Sequence, residues 1–214
     1  MKKVLIADDH AIFREGLKQV IDRIVDMFVA DEAESGQEAL RKVQTNDYDL
    51  LILDISMPGR NGLDVLADIK RAKPKLPVLI LSMHPEEQYA LRSFKVGASG
   101  YLTKGSSSQE LMEALQKVAL GKRYISASLA EALANSLGGD STRSPHEELS
   151  IREYQVMCLI AAGNKPQQIA EDLAMSVKTV GTYRVRILKK MNMKSNAELT
   201  RYALENGLIE RLLL

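Results

Sequence analysis

Four short apolar blocks in the first half of the 214-residue chain are each closed by a residue that can do chemistry. Val4-Leu5-Ile6-Ala7 runs into Asp8-Asp9, Leu50-Leu51-Ile52-Leu53 into Asp54, Val78-Leu79-Ile80-Leu81 into Ser82, and Gly100-Tyr101-Leu102-Thr103 into Lys104. Short apolar runs without alternation have the pattern of strands buried on both faces. In an open parallel sheet such strands end at one edge, where ligands bind near the point at which strand order reverses. Three carboxylates, a hydroxyl and an ammonium therefore converge on one crevice. Carboxylates packed together raise one another's pKa unless a cation joins them. Mg²⁺ meets that need, because it takes carboxylate, carbonyl and water oxygens and co-binds phosphate. One carboxylate can then attack a phosphoryl group while the cation, Lys104 and the Ser82 hydroxyl take up charge on the transferring oxygens. The pattern reads as aspartyl-phosphate chemistry.

Positioning these residues requires alternating strands and helices, and the first 120 residues supply five such units, an α/β fold of (βα)5 type with a parallel five-stranded sheet. The predicted strands are Val4–Ala7, Phe28–Ala33, Leu50–Leu53, Val78–Leu81 and Gly100–Thr103. The predicted helices are Ala11–Arg23, Gln37–Gln44, Leu63–Lys73, Glu86–Val96 and Ser108–Leu120. Residues 121–147 read as a linker, with a helix over Ala127–Leu137 and then a Gly/Ser/Pro tether from Gly138 to Pro145. Residues 148–214 read as a small all-α domain. Ser150-Ile151-Arg152-Glu153 and Ser195-Asn196-Ala197-Glu198 have the capping-box form that opens a helix, Pro166 suits a first helical turn, and Ser176 caps a helix from Val177 to Met191.

Charge is distributed unevenly: residues 1–120 carry a net −2 and residues 148–214 a net +3. Six basic residues and no acidic one lie within Ser176–Lys194, which predicts a surface that meets phosphate. On a helical wheel Val177, Val180, Ile187 and Met191 form an apolar stripe read as core, flanked by Tyr183 and Leu188. Lys178, Thr182, Val185, Arg186 and Lys189 occupy the opposite side. There Val185 would suit a thymine methyl in the major groove, and the cations suit guanine or phosphate. With the helix and short turn before it, Gln167–Met175, the segment reads as a helix-turn-helix bound to double-stranded DNA. A single cysteine, Cys158, excludes an intrachain disulfide framework, and its apolar neighbours make it a core residue. No apolar run has the length of a membrane span, and Met1-Lys2-Lys3 leads directly into a strand, so no membrane partner and a cytoplasmic location are expected.

On these residues the chain resembles two-component response regulators of the NarL/FixJ family: residues 1–120 resemble the flavodoxin-like receiver domain, and 148–214 the LuxR-type helix-turn-helix. The resemblance implies that Asp54, in Leu53-Asp54-Ile55-Ser56-Met57-Pro58-Gly59, is the phosphoacceptor. It implies Asp9 as a direct Mg²⁺ ligand, Asp8 acting mainly through water, and the Ser56 backbone carbonyl as a further ligand beside Asp54. Ser82 matches the hydroxyl that follows the phosphoryl group, Lys104 the ion-pairing lysine, and Tyr101 an aromatic switch that rotates inward. His84, two residues past Ser82, is expected beside the in-line water path. In the C-terminal part the resemblance covers Leu149–Glu153, Ile169-Ala170 and Thr179-Val180. The residues expected to touch DNA are Lys178, Thr179, Gly181, Thr182, Val185, Arg186, Lys189 and Lys190. The last helix, about Asn196–Asn206, resembles a dimerisation helix, with Leu199, Tyr202 and Ala203 as contacts. This chain departs from the family pattern at Gly105, where many receivers have proline, at Val180-Gly181-Thr182-Tyr183, where Val-Lys-Thr-His is common, and at Lys165-Pro166 in place of Ser-Asn.

These readings predict a transcriptional regulator that takes phosphate at Asp54 from a sensor histidine kinase and binds an inverted repeat as a homodimer, with RNA polymerase as a further partner. It is not an enzyme acting on a metabolite. The alternative from a different class is a Mg²⁺-dependent phosphatase with an aspartyl nucleophile. That class usually carries Asp-x-Asp after its first strand, whereas the sequence here is Asp54-Ile55-Ser56 after the third. A phosphorylation-independent binding protein is a third possibility, disfavoured by the intact acidic set.

Overall fold

The computed structural model describes residues 1–57, 60, 62–83, 86–131 and 144–209. The chain divides into two compact units, Met1–Gly139 and Asp140–Leu214. In the first, β1 (Lys2–Ala7), α1 (Ala11–Ile21), β2 (Met27–Ala33), α2 (Gly36–Thr45), β3 (Leu50–Asp54), α3 (Gly62–Ala72), β4 (Val78–Ser82), α4 (Glu86–Val96), β5 (Gly100–Thr103) and α5 (Ser108–Ala119) follow one another. All strand pairings are parallel, in the order β2-β1-β3-β4-β5. The order reverses at β1, whose two neighbours are β2 and β3, so the crevice opens between the carboxyl ends of β1 and β3. Every residue of β3 and β4 is buried, which is why both read as unbroken apolar runs. The side-chain period of two sends Val4, Ile6, Leu50, Ile52, Leu79 and Leu81 into the core with Leu17 and Ile21 of α1 and Leu111, Leu115 and Val118 of α5. Helices α2, α3 and α4 pack side by side.

Two boundaries matter for the chemistry. Asp54 and Ser82 were expected just past their strands, but each is the last strand residue, held in ladder register with Leu81 and Thr103 respectively. Their side chains therefore inherit the rigidity of the sheet. Beyond α5, Tyr124 forms a bridge with Gly100 and is buried against the same core, so the start of the linker lies along the edge of β5. Residues 127–131 are helical; the rest of the expected Ala127–Leu137 helix, and the tether over residues 138–143, lie outside the described residues.

Gly62, the first residue of α3, is fixed by a close approach: a Cβ there would stand 2.3 Å from Cα of Ile55. Gly62→Ala is expected to destabilise the first unit by at least about 2 kcal/mol, read as a lower urea midpoint at unchanged slope. An unchanged midpoint would show that α3 shifts freely.

In the second unit a 3₁₀ turn, Pro145–Glu148, precedes α6 (Ile151–Ala161), α7 (Pro166–Asp172), α8 (Val177–Lys190) and α9 (Asn196–Glu205). The turn starts inside the stretch read as tether. His146 ties it down, with Nδ1 2.8 Å from Oη of Tyr202. The Ser150–Glu153 capping box forms in both directions, and Glu153, buried, also pairs with Lys190 Nζ at 2.6 Å. Burial opposes ionisation of Glu153, but Lys190 and the Ser150 donors outweigh it and hold the carboxyl below its ordinary value. A depressed folded pKa means that this stability is present above the ordinary value of 4.5 and fades as pH falls through the folded value. Glu153→Gln is therefore expected to cost about 1–2 kcal/mol at neutral pH, with the gap to wild type closing on acidification in thermal melts. A gap independent of pH would refute the charged contribution.

Two expected core positions differ. Val177 is 47% exposed, because the first residue of α8 projects beyond the helices that cover Val180, Ile187 and Met191. Cys158 is only half-buried. Among the described residues no helix is long and apolar enough to cross a membrane.

Candidate functional site

The ends of β1, β3, β4 and β5 bring the expected residues together. Lys104 Nζ lies 2.6 Å from Oδ2 of Asp54 and 2.7 Å from Oδ2 of Asp8, and all three side chains are withdrawn from solvent. The other Asp54 oxygen, Oδ1, accepts the Ser56 backbone N–H at 2.7 Å. Ser82 is fully buried, its Oγ 3.3 Å from Oγ of Ser56. Lys104 also sits over the Phe13 ring, 4.6 Å from its centroid, a cation–π contact that holds the ammonium at the crevice.

Burial pushes the Asp54 carboxyl above its ordinary range, against the pull of Lys104 and of the Ser56 amide. Burial also opposes the charge on Lys104, but two carboxylates at hydrogen-bond distance more than offset it and raise the lysine. Lys104 therefore stays an ammonium and neutralises part of the acidic cluster. The site fits a hard divalent cation on its donor chemistry: Asp8, Asp9, His10 and Asp54 each offer a ligand atom, all within 4.8 Å of one another, and three of the four are carboxylate oxygens.

In the loop after β5, where Gly105 replaces the proline of many receivers, Ser106 N–H donates to the Thr103 carbonyl at 3.0 Å and the Thr103 and Ser106 hydroxyls lie 3.2 Å apart. Lys104 N–H donates to the Ser82 carbonyl at 2.8 Å, joining the β4 and β5 ends directly. Tyr101, expected to turn inward as a switch, is fully buried here. His84 lies outside the described residues, as do Pro58 and Gly59.

Two residues of this site were missed from sequence. Arg14, buried on α1, donates to the Asp8 carbonyl at 2.7 Å and pairs with Glu32 and Glu34 at 2.8 Å each, pinning the turn that carries Asp8 and Asp9. Its signal was a lone arginine in helical register with Leu17 and Ile21 on the apolar face. His10, the N-cap of α1, places Nδ1 3.2 Å from Asp8 and 3.1 Å from Asp9.

A second surface lies on α8. Ser176 caps it, accepting the Thr179 N–H at 3.1 Å, and Val180 and Ile187 anchor it to the core. That leaves Lys178, Thr179, Gly181, Thr182, Val185, Arg186, Lys189 and Lys190 on the exposed side, with Val185 63% exposed. Lys190 is partly committed to Glu153. Among the described residues, nothing apart from the adjacent residues and the helix's own backbone comes within 4 Å of a Cβ built on Gly181, so packing against other elements does not require a glycine there. At the start of α7, Lys165 N–H donates to the Gln168 side chain at 2.9 Å, the half of a capping box that needs no serine at the N-cap. Of the expected dimer contacts on α9, Leu199 and Ala203 are fully buried within their own unit. Tyr202 is half-buried and bonded to His146.

Residues 4–116 match the family model of the response regulator receiver domain, and residues 147–203 that of bacterial regulatory proteins of the luxR family. The response regulator UvrY of Escherichia coli is 37% identical over 209 residues, 97% of this chain and 96% of that protein. The oxygen regulatory protein NreC of Staphylococcus carnosus is 39% identical over 215 residues, 97% of this chain and 99% of that protein. Among solved structures, RcsB from Salmonella enterica serovar Typhimurium, bound to a promoter in the presence of phosphomimetic BeF3⁻, has 26% identity and a TM-score of 0.67, covering 94% of this chain and 97% of that one.

Proposed function

The chain belongs to the two-component response regulators that join a receiver domain to a LuxR-type DNA-binding domain, and from that premise we propose that Asp54 is its phosphoacceptor and that phosphorylation there governs how α8 engages DNA. The observation that carries this reading is the buried Asp54 carboxylate at a sheet edge, shared between one lysine and one backbone amide, with Asp8 and Asp9 beside it.

An Asp54 oxygen attacks the phosphorus of a phosphohistidine on a sensor kinase: the new O–P bond forms as the N–P bond of the donor breaks, and the imidazole leaves. Asp8, Asp9, Asp54 and the Ser56 carbonyl are the groups that would hold Mg²⁺. When bound, the ion supplies positive charge against the non-bridging phosphoryl oxygens. Lys104 exchanges its Asp54 oxygen for a phosphoryl oxygen, and the Ser82 hydroxyl donates to another. Phosphorylation adds about −1.5 to −2 charge and three acceptors, enough for 1–3 such bonds. Ser82 and Tyr101 carry the change to the face formed by α4, β5 and α5. Arg14, which fixes the Asp8 turn, acts as a positioning residue.

Residues 1–120 form the phosphorylated domain and 148–214 the reading head, joined by 121–147. On DNA the N-terminal half of α8 enters the major groove, with Lys178, Thr182, Val185 and Arg186 toward bases and phosphates. The chain acts on promoters as a homodimer in the cytoplasm, with RNA polymerase as the downstream partner. The promoter-bound RcsB with a phosphomimetic supports this order of events in a relative.

The test is selection of bound duplexes from a random pool by full-length protein, with and without acetyl phosphate and Mg²⁺. Enrichment of an inverted repeat, stronger for the phosphorylated sample, is expected. Identical pools, or no enrichment in either, would overturn the reading.

A further inference from the structure

Beside the acidic cluster stands a nitrogen that aspartyl-phosphate chemistry does not use. His10 occupies the N-cap of α1, where Ser, Thr, Asp or Asn would ordinarily bond a helix N–H, yet its side chain makes no cap bond. Its Nδ1 instead points at the carboxylates, 3.2 Å from Asp8 Oδ1 and 3.1 Å from Asp9 Oδ1. Its backbone N–H donates to Asp8 Oδ1 at 2.9 Å, which fixes the turn and the ring's point of departure. Neighbouring ligands about 2.1 Å from an octahedral ion stand about 3.0 Å apart, so these separations match one edge of a coordination octahedron. Against carboxylate oxygens Nδ1 is the hydrogen-bond donor; because the side chain is 64% exposed, the ring can move its proton to Nε2, facing water, which turns the Nδ1 lone pair toward the site.

Resting on the reading that Asp8, Asp9 and Asp54 hold a divalent cation, we propose that His10 is a ligand that sets which cation is held. Through Nδ1 the site accepts imidazole-seeking ions such as Co²⁺ with an affinity that carboxylates alone would not give. Mg²⁺, which prefers oxygen and keeps its waters, is held without the histidine. His10 thereby determines ion specificity, and Asp54 remains the phosphoacceptor whichever ion is bound.

The experiment titrates full-length wild type and His10→Gln with Mg²⁺, Mn²⁺ or Co²⁺ alone, by calorimetry, and records pulsed electron paramagnetic resonance spectra of the Mn²⁺-loaded proteins. Wild type is expected to show the ¹⁴N modulation of a coordinated imidazole, absent from His10→Gln. The variant should lose at least about tenfold in Co²⁺ affinity and stay within about twofold of wild type for Mg²⁺, which also reports its fold. Equal Co²⁺ affinities, or a ¹⁴N signal that persists in His10→Gln, would overturn the role of His10 while leaving the carboxylate site standing. Absence of binding by any of the three ions in wild type would overturn the underlying reading as well.

Discussion

Asp54→Asn is expected to bind DNA with one affinity whether or not Mg²⁺ and beryllofluoride are present, whereas wild type should change by at least about tenfold, roughly 1.4 kcal/mol. The amide keeps the shape of the side chain and can still accept the Ser56 N–H through its oxygen, so the strand end should hold. It loses the nucleophilic oxygen pair and one of the charges facing Lys104, which remains paired with Asp8. Thermal melts of the variant should stay within a few degrees of wild type, separating loss of response from loss of fold. Titration of a labelled duplex by fluorescence anisotropy reads the outcome. A tenfold response surviving in Asp54→Asn would move the regulatory site elsewhere.

The second large effect is on the reading helix. Arg186 is exposed one residue past Val185 on a face with no acidic side chain. Arg186→Glu removes a phosphate or guanine contact and adds repulsion, and should weaken binding by about a hundredfold at low salt while reducing the slope of log affinity on log salt by about 1–2. Lys75→Glu, exposed in the first unit, makes the same charge change and should leave affinity within about twofold. Equal losses in both variants would mean that net charge, and not the α8 surface, drives the interaction.

Much of this was readable because the physics is local or periodic. Unbroken apolar runs for β3 and β4 placed Asp54 and Ser82 at one edge, and the Ser150 and Ser195 caps located α6 and α9. What escaped depends on who packs against whom. Val177 shares a helical stripe with Val180, yet it is exposed because burial at a helix start depends on a neighbouring element. Leu199 and Ala203 were equally compatible with an interface and with a core, and only the packing of the folded unit shows that they are buried. Tyr124 joins the sheet by a single bridge too short to leave a period. Arg14 and His10 act through contacts with the β1–α1 turn, and residue type alone did not distinguish them from solvated helix residues.

The central claim is that Asp54 becomes an acyl phosphate, and mass spectrometry tests it most directly. Wild-type protein incubated with acetyl phosphate and Mg²⁺ should gain a single adduct of about 80 Da, one phosphoryl group. Borohydride trapping and peptide mapping should place it on Asp54. A protein that stays at its starting mass, or carries the group on any other residue, would contradict the account.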